Sequence, residues 1–235
     1  MTKRACMSKN AMPLGIGCYS IPEAARLLKI DAASIRRWVS GYSYKRGNER
    51  HRQPALWPVQ WPQGRSVELG FRDLMELRFV AQFLEIGLSL QTIRTCLRHA
   101  RDSIGDDHPL STRRFQTDGR TIFLEGLKEA DVAVLDLKHK QYALRDIIAR
   151  TFRDLDFDES GKVMRWRPFH GRKSIIVDPA RAFGQPIHAG SGIPTLTLAQ
   201  AFEAEGSEDI VANLYDVSIQ VVRDAISFEK ELLAA

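Results

Sequence analysis

The sequence predicts an α+β fold that is mainly helical, and three observations predict it. Helix-capping residues followed by apolar positions at helical spacing recur along the chain. Turn-forming pairs between short apolar or aromatic runs are typical of β-hairpins. With 235 residues the chain exceeds the usual size of one domain, so this fold is expected to be divided among more than one domain. We expect a flexible N-terminus at residues 1–18 and a winged helix-turn-helix at residues 19–104. A central region with β-hairpins and a helix follows at residues 105–170, and a small helical domain resembling a helix-turn-helix at residues 171–235.

The composition is that of an ordinary soluble globular protein, with 44% hydrophobic and 27% charged residues. The sequence has no run of 18 or more apolar residues and no signal-peptide pattern, so we expect a cytoplasmic protein. Cys6, Cys18 and Cys96 form neither a disulfide framework nor a zinc knuckle, since none stands in a C-x-x-C motif.

Charged residues are divided unevenly between residues 1–100 and the rest of the chain. Residues 1–100 contain 16 Lys and Arg against seven Asp and Glu, whereas the remainder contains 18 basic and 22 acidic residues. The chain therefore has a basic head and an acidic tail, a pattern that points to a polyanionic partner for the head.

Two short helices are predicted at the start of the head. Ser20 and Glu23 form a capping box with Pro22 in the first turn, and an apolar stripe about two turns long follows. Asp31 can cap a second helix that buries Ile35, Trp38 and Val39 and exposes its small and basic residues. Two helices joined by a three-residue turn form a helix-turn-helix.

A basic segment follows the second helix. Residues 36–52 contain six Lys or Arg and one acid, Glu49. Gly47-Asn48 is a turn-forming pair, so a hairpin that carries cations is expected there. Such a density of positive charge can neutralise DNA phosphates, and tyrosine hydroxyls can add phosphate contacts. Small residues at the start of the second helix let it approach base edges. The predicted DNA-binding residues are Ala33, Ser34, Arg36, Arg37, Tyr42, Tyr44, Lys45, Arg46, Arg50 and Arg52.

The pattern YSIPEAARLLKIDAASIRRW, with FRDLMELRFV and GLSLQTIR at residues 71–94, resembles the winged DNA-binding domain of MerR-type regulators. The resemblance covers about residues 19–104. It implies that Arg36 and Arg37 lie at the DNA groove and that Tyr42, Lys45, Arg46 and Arg50 form the wing. This sequence departs from the family in its long connection PALWPVQWPQGRSVELG.

Two further helices are predicted between residues 71 and 104. The first is apolar on two sides and must be buried between neighbours, and Gly87 ends it. Ser89 caps the second. Sensing MerR-type regulators have a long dimerisation coiled coil after these helices, but this sequence has no sustained charged heptads. Cys96 also stands alone, so both observations argue against metal sensing.

The middle segment contains two predicted hairpins, at residues 113–124 around Asp118-Gly119 and at residues 155–166, with a helix from Tyr142 to Phe152 between them. The acids Asp154, Asp156 and Asp158 do not form a calcium loop, because Glu159 stands where the loop needs glycine. The sequence offers no catalytic or phosphate-loop motif, so we expect neither enzymatic activity nor a cofactor or metal.

A second pair of helices is predicted in the acidic tail. Ser207 caps one helix, Asp216-Val217-Ser218 forms a turn, and a final helix follows. Residues 200–235 have a net charge of −6, which disfavours DNA and favours a protein partner or a second copy of the chain.

Residues 175–198 and the EGSEDIVANLYDVS segment resemble the small C-terminal domain found in many VapB-type antitoxins, with Gly192 where that pattern has Arg. The resemblance implies a toxin-antitoxin pair in which the chain neutralises a VapC-type PIN-domain ribonuclease and represses its own operon, as a homodimer on its promoter DNA. Two alternatives remain open. One is a stand-alone MerR-like regulator with a small-molecule pocket in residues 105–170, and the other is an adaptor that binds only proteins.

Overall fold

The computed structural model describes residues 15–61, 67–130 and 134–234. These residues form a mixed α and β structure that is mostly helical. The helices are α1 (Ile21–Leu28), α2 (Ala32–Ser40), α3 (Phe71–Glu85), α4 (Leu90–Ile104), α5 (Arg113–Glu129), α6 (Val134–Phe152), α7 (Thr195–Glu205), α8 (Glu208–Leu214) and α9 (Ile219–Leu233). The strands are β1 (Tyr19–Ser20), β2 (Tyr42–Arg46), β3 (Glu49–Gln53), β4 (Glu68–Leu69), β5 (Leu155–Phe157), β6 (Val163–Trp166), β7 (Ile175–Val177) and β8 (Pro186–His188).

The predicted capping residues set the first two helices. The Ser20 hydroxyl accepts a hydrogen bond from the Glu23 backbone N–H, and the Glu23 carboxylate accepts one from the Ser20 N–H at 2.7 Å. Lys29 ends α1 in the left-handed conformation, with φ of 56°. Asp31 then caps α2 by accepting from the Ser34 N–H at 2.7 Å. The prediction of both helices is confirmed, because their local capping signals agree with their apolar stripes.

Strands β2 and β3 form an antiparallel hairpin whose turn is the predicted Gly47-Asn48 pair. Gly41 joins α2 to this hairpin with φ of 71°. A Cβ at Gly41 would overlap the backbone carbonyl of Gln53, at the other end of the hairpin. Only glycine therefore lets the chain leave α2 and pass so close to the returning strand.

Helix α3 lies in the main hydrophobic core, as its two apolar sides predict. Its Phe79 ring packs edge-on against Phe115 at 5.6 Å and near Phe152 at 4.9 Å, measured between ring centroids. The core reaches from Tyr19 in β1 to Leu232 in α9. Residues far apart in sequence thus share one buried cluster, and α3 connects them.

The predicted hairpin at residues 113–124 is wrong, because this segment is the first part of helix α5. Thr112 caps the helix by accepting from the Phe115 N–H at 3.1 Å. Phe115, Ile122 and Phe123 recur at helical spacing and are buried. Gly119 of the Asp-Gly pair is buried against the Phe115 ring, so burial of this face overrides the local turn signal.

Two other predicted elements of the middle segment, a helix and a hairpin, are confirmed. The expected helix from Tyr142 to Phe152 lies within α6, and the expected hairpin is formed by β5 and β6. Strands β5, β6, β7 and β8 are antiparallel neighbours in one sheet. A separate two-stranded sheet joins β1 to β4.

Helices α7, α8 and α9 enclose a small second core around Leu198, Val211 and Val222. The predicted cap at Ser207 is confirmed, and the turn at residues 216–218 separates α8 from α9. On its other side, α9 contributes Phe228 and Leu232 to the main core. No helix in the described part of the chain is long and apolar enough to cross a membrane.

Candidate nucleic-acid interface

The register of the β2–β3 hairpin sorts its side chains onto two faces. Ser43 is opposite Arg52, and Lys45 is opposite Arg50. Because neighbouring side chains in a strand point to opposite faces and cross-strand partners share a face, these four residues lie together. We call this surface the cationic face of the hairpin.

The charges on the cationic face are not neutralised within the described structure. The side chains of Lys45, Arg50 and Arg52 are exposed. None of the three forms an ion pair with a described residue. They are therefore free to exchange water and counterions for an external anion such as a phosphate.

The opposite face of the hairpin is aromatic. Tyr44 stacks on His51 with 5.4 Å between ring centroids, and Tyr42 lies 6.1 Å from Tyr44. Glu49 approaches His51 at 3.7 Å. The backbone of Arg46 is paired with Glu49 on this side, while the Arg46 side chain lies outside the described structure. The predicted site residues are thus divided between two faces, a division that the sequence pattern did not distinguish.

Helix α2 presents the remaining predicted residues. Ala33, Arg36 and Arg37 are exposed and Ser34 is half-exposed, while Trp38 is buried, as predicted. Arg37 donates to the Ser34 hydroxyl at 3.0 Å. The carboxylate of Asp31 accepts the Ser34 N–H, and this hydrogen bond lowers the pKa of Asp31. The one acid at the start of α2 is thus held as a cap.

Two arginines of α4, Arg94 and Arg101, hold the chain that leaves the hairpin. Arg94 donates to the carbonyl oxygens of Pro54 and Ala55 at 2.9 and 3.1 Å. Arg101 donates to the Leu56 carbonyl at 2.8 Å. Sequence reasoning missed both residues, because no local pattern pairs positions about 40 residues apart.

The long connection after the hairpin is anchored by buried tryptophans. Trp57 donates its indole N–H to Asp73 Oδ1 at 2.9 Å, and His108 Nε2 lies 2.7 Å from the same oxygen. Trp61 donates to the Gly17 carbonyl at 2.8 Å. Residues 54–61 of this connection form neither helix nor strand, and their buried tryptophans are held by hydrogen bonds to buried partners.

No family model matches this chain. It is 27% identical to "Putative antitoxin VapB45" of Mycobacterium tuberculosis, over 88% of this chain and 92% of that protein. It is 26% identical to uncharacterized protein Rv2308 of the same organism, over 97% of this chain and 96% of that protein. The similarity covers the basic head and the acidic tail together.

The fold has been seen in a crystal. The crystal structure of Rv2018 from M. tuberculosis aligns with a TM-score of 0.68, covering 92% of this chain and all of that one, at 22% sequence identity. The shared arrangement of elements therefore extends over nearly the whole chain.

Among the described residues, no cluster of three or more His, Cys, Asp and Glu side chains could hold a metal ion.

Proposed function

We propose that this chain is the antitoxin of a type II toxin-antitoxin pair, which binds its own promoter and neutralises a VapC-type PIN-domain ribonuclease. The observation that carries the antitoxin role is the similarity to a protein named as an antitoxin over 88% of this chain. In this proposal the chain is a regulator without catalytic residues, and it acts by binding.

The DNA-binding half of the proposal rests on α2 and the hairpin. Here α1 and α2 form a MerR-like helix-turn-helix, and β2–β3 is its wing. The start of α2, from Ala33 to Arg37, would face base edges in the major groove, while Lys45, Arg50 and Arg52 would contact phosphates. Each phosphate contact contributes about one unit to the slope of log affinity against log salt concentration.

The protein would bind DNA as a homodimer. One such head reads only a short half-site, and two-fold symmetric regulators bind half-sites about one helical turn apart. We therefore expect a palindromic operator upstream of the operon. Footprinting of the promoter fragment would give the half-site spacing, and a single unrepeated site would contradict the dimer.

The toxin-binding half rests on the acidic tail. Helix α8 exposes Ile210 and Leu214, which are one helical turn apart, and the acidic Asp209 is exposed beside them. Apolar residues bordered by carboxylates suit a partner surface that is apolar with a basic rim. We propose that this face of α8 contacts the toxin and that Asp209 opposes a cation of the toxin's RNA groove.

Co-expression with the neighbouring gene tests the function. If that gene encodes a PIN-domain nuclease, the two chains should purify as a stable complex and this chain should restore growth. The purified protein or complex should shift the operon's promoter fragment at low salt. Failure to form a complex would contradict the antitoxin role, and failure to shift DNA would favour the protein-binding adaptor.

Point variants test the toxin contact better than truncation does. Removal of the chain after Glu205 would delete Phe228 and Leu232 from the main core and so destabilise the whole protein. Ile210→Lys with Asp209→Lys changes only exposed positions of α8. We expect this variant to retain promoter binding and lose toxin neutralisation. A variant that still neutralises the toxin would exclude this face of α8.

The alternative, a stand-alone MerR-like regulator with a central ligand pocket, is favoured by one observation. An open groove lies between α5 and α6, within the region where a pocket was expected. A small molecule that binds there and changes promoter affinity, in a chain without a toxin partner, would support this alternative.

A further inference from the structure

The groove between α5 and α6 has a volume of about 690 Å³ and is open to solvent. Its polar lining consists of Gln116, Thr117, Arg120, Thr121, Arg145 and Arg153. Its floor is formed by Ile148 and Phe152, which are buried in the main core. Small-molecule sites usually have volumes of about 300 to 1,000 Å³, so the groove is large enough for a ligand of nucleotide size.

The three arginines of the groove form no ion pair with the described residues. Arg120, Arg145 and Arg153 are exposed, and no side chain in the described part of the structure forms an ion pair with any of them. Three guanidinium groups on one concave surface repel each other unless an anion lies between them. A recessed floor with three arginines that are unpaired among the described residues differs from a solvated helix face, where opposite charges alternate.

Three carboxylates on or next to α5 and α6 are bound elsewhere, whereas Asp118 of α5, between Thr117 and Arg120, is exposed and forms no ion pair with a described residue. On α5, Glu129 pairs with Arg98 of α4 at 2.5 Å. On α6, Asp146 pairs with Arg150 at 2.8 Å. Asp154, the neighbour of Arg153, accepts two hydrogen bonds from Arg78. The lining of the groove therefore contains three arginines and no carboxylate.

The chemistry of the lining selects the ligand class. Arginine offers a planar fork of donors that matches two phosphate oxygens, and threonine hydroxyls can donate to a third. We propose that this groove binds a phosphorylated small molecule of nucleotide size, held by Arg120, Arg145 and Arg153. This site lies outside α2, the hairpin and α8, so it is additional to the promoter and toxin contacts.

Calorimetric titration tests the site on the full-length protein, with inorganic pyrophosphate and adenosine triphosphate as probes at constant ionic strength. The test variant is Arg120→Gln with Arg145→Gln. The matched control is Arg150→Gln, since Arg150 is on the same helix but pairs with Asp146 and does not line the groove. We expect at least tenfold weaker binding of both probes by the double variant and less than twofold change in the control.

Three results of the titrations would overturn the proposal. They are no binding of either probe to the unaltered protein, equal weakening in Arg150→Gln, and unchanged binding in the double variant. Circular dichroism and thermal unfolding confirm that each variant folds. Promoter binding is measured in parallel. A matching loss of promoter affinity in the double variant would identify the groove as a DNA contact and refute the small-molecule site. Failure of the unaltered protein to bind the promoter would contradict the proposed function and leave the small-molecule site unaffected.

Discussion

Arg26 of α1 and Glu229 of α9 form an ion pair at 3.1 Å, between residues 203 positions apart in the sequence. Glu229 is buried and also accepts from the Thr195 hydroxyl at 2.5 Å, which ties α7 into the same contact. Nearby, the Tyr19 hydroxyl donates to the Gly184 carbonyl at 2.8 Å. The basic head and the acidic tail are thus joined by specific polar contacts within the described structure.

The first prediction concerns this ion pair. Arg26→Ala should lower the free energy of unfolding by about 1–3 kcal/mol, because the Glu229 carboxylate would remain buried with a weaker set of partners. The cost is below that of a fully buried pair since Arg26 is 32% exposed. Chemical denaturation measures it. The double variant Arg26→Met with Glu229→Met should recover part of the loss, and a loss below about 0.5 kcal/mol in the single variant would contradict the prediction.

The second prediction concerns Glu76 of α3, whose side chain is fully buried. Its Oε1 accepts from the Ser111 N–H at 3.0 Å, while Oε2 has no partner among the described residues. Burial raises the pKa of Glu76 from 4.5 to about 8, although Arg72 opposes the shift. Because the folded chain keeps a proton that the unfolded chain loses, stability from this group is greatest below pH 4.5 and falls as pH rises toward 8.

Glu76→Gln should remove this pH dependence. Between pH 5 and pH 8 the wild type should lose stability relative to the variant, at no more than about 1.4 kcal/mol per pH unit. Urea denaturation of both proteins across this range gives the difference, in which contributions of other groups cancel. Parallel stability profiles would mean that Glu76 is ionised in the folded protein at neutral pH.

The third prediction compares two glycines with positive φ. Gly41→Ala should destabilise the fold by at least about 2 kcal/mol, because the new methyl group is both in a disfavoured conformation and in contact with the Gln53 backbone. Gly47→Ala should cost only about 1 kcal/mol, since the space around Gly47 is open. Thermal unfolding of both variants measures the difference. Equal costs would show that the hairpin can shift away from α2.

The fourth prediction compares the cationic face of the hairpin with exposed positive charge elsewhere on the protein. Lys45→Ala with Arg50→Ala should reduce the salt slope of promoter binding by about two units and weaken binding at low salt. Arg172→Ala with Lys173→Ala removes the same charge from an exposed loop before β7 and should leave the slope unchanged. Fluorescence anisotropy at several salt concentrations measures both. An equal effect of the two variants would contradict a specific contact by the hairpin.

Much of the fold followed from local sequence patterns. The capping box at Ser20, the cap at Asp31 and the turn at Gly47-Asn48 each act over a few residues, so α1, α2 and the hairpin form where the sequence predicts them. The same holds for the cap at Ser207. Such signals are reliable because the hydrogen bonds that they describe close within one turn of the chain.

Local signals failed where tertiary contacts decided the outcome. The Asp118-Gly119 pair has the chemistry of a hairpin turn, yet burial of Phe115 and Phe123 against α3 makes this segment helical. Hydrophobic burial of several aromatic side chains outweighs the preference of one dipeptide. The anchoring of the hairpin's exit by Arg94 and Arg101 was also missed, since both donate to carbonyl groups distant in sequence.

By itself the sequence determined the mixed, mainly helical fold class, the division into a basic head and an acidic tail, and most of the short elements within them. Composition, charge and caps are properties of neighbouring residues, so they can be obtained without the fold. Only the tertiary structure decided which cations share the hairpin face, which acids are already paired, and that Arg26 meets Glu229. Those relationships depend on where distant segments pack, which is set by burial of a common core.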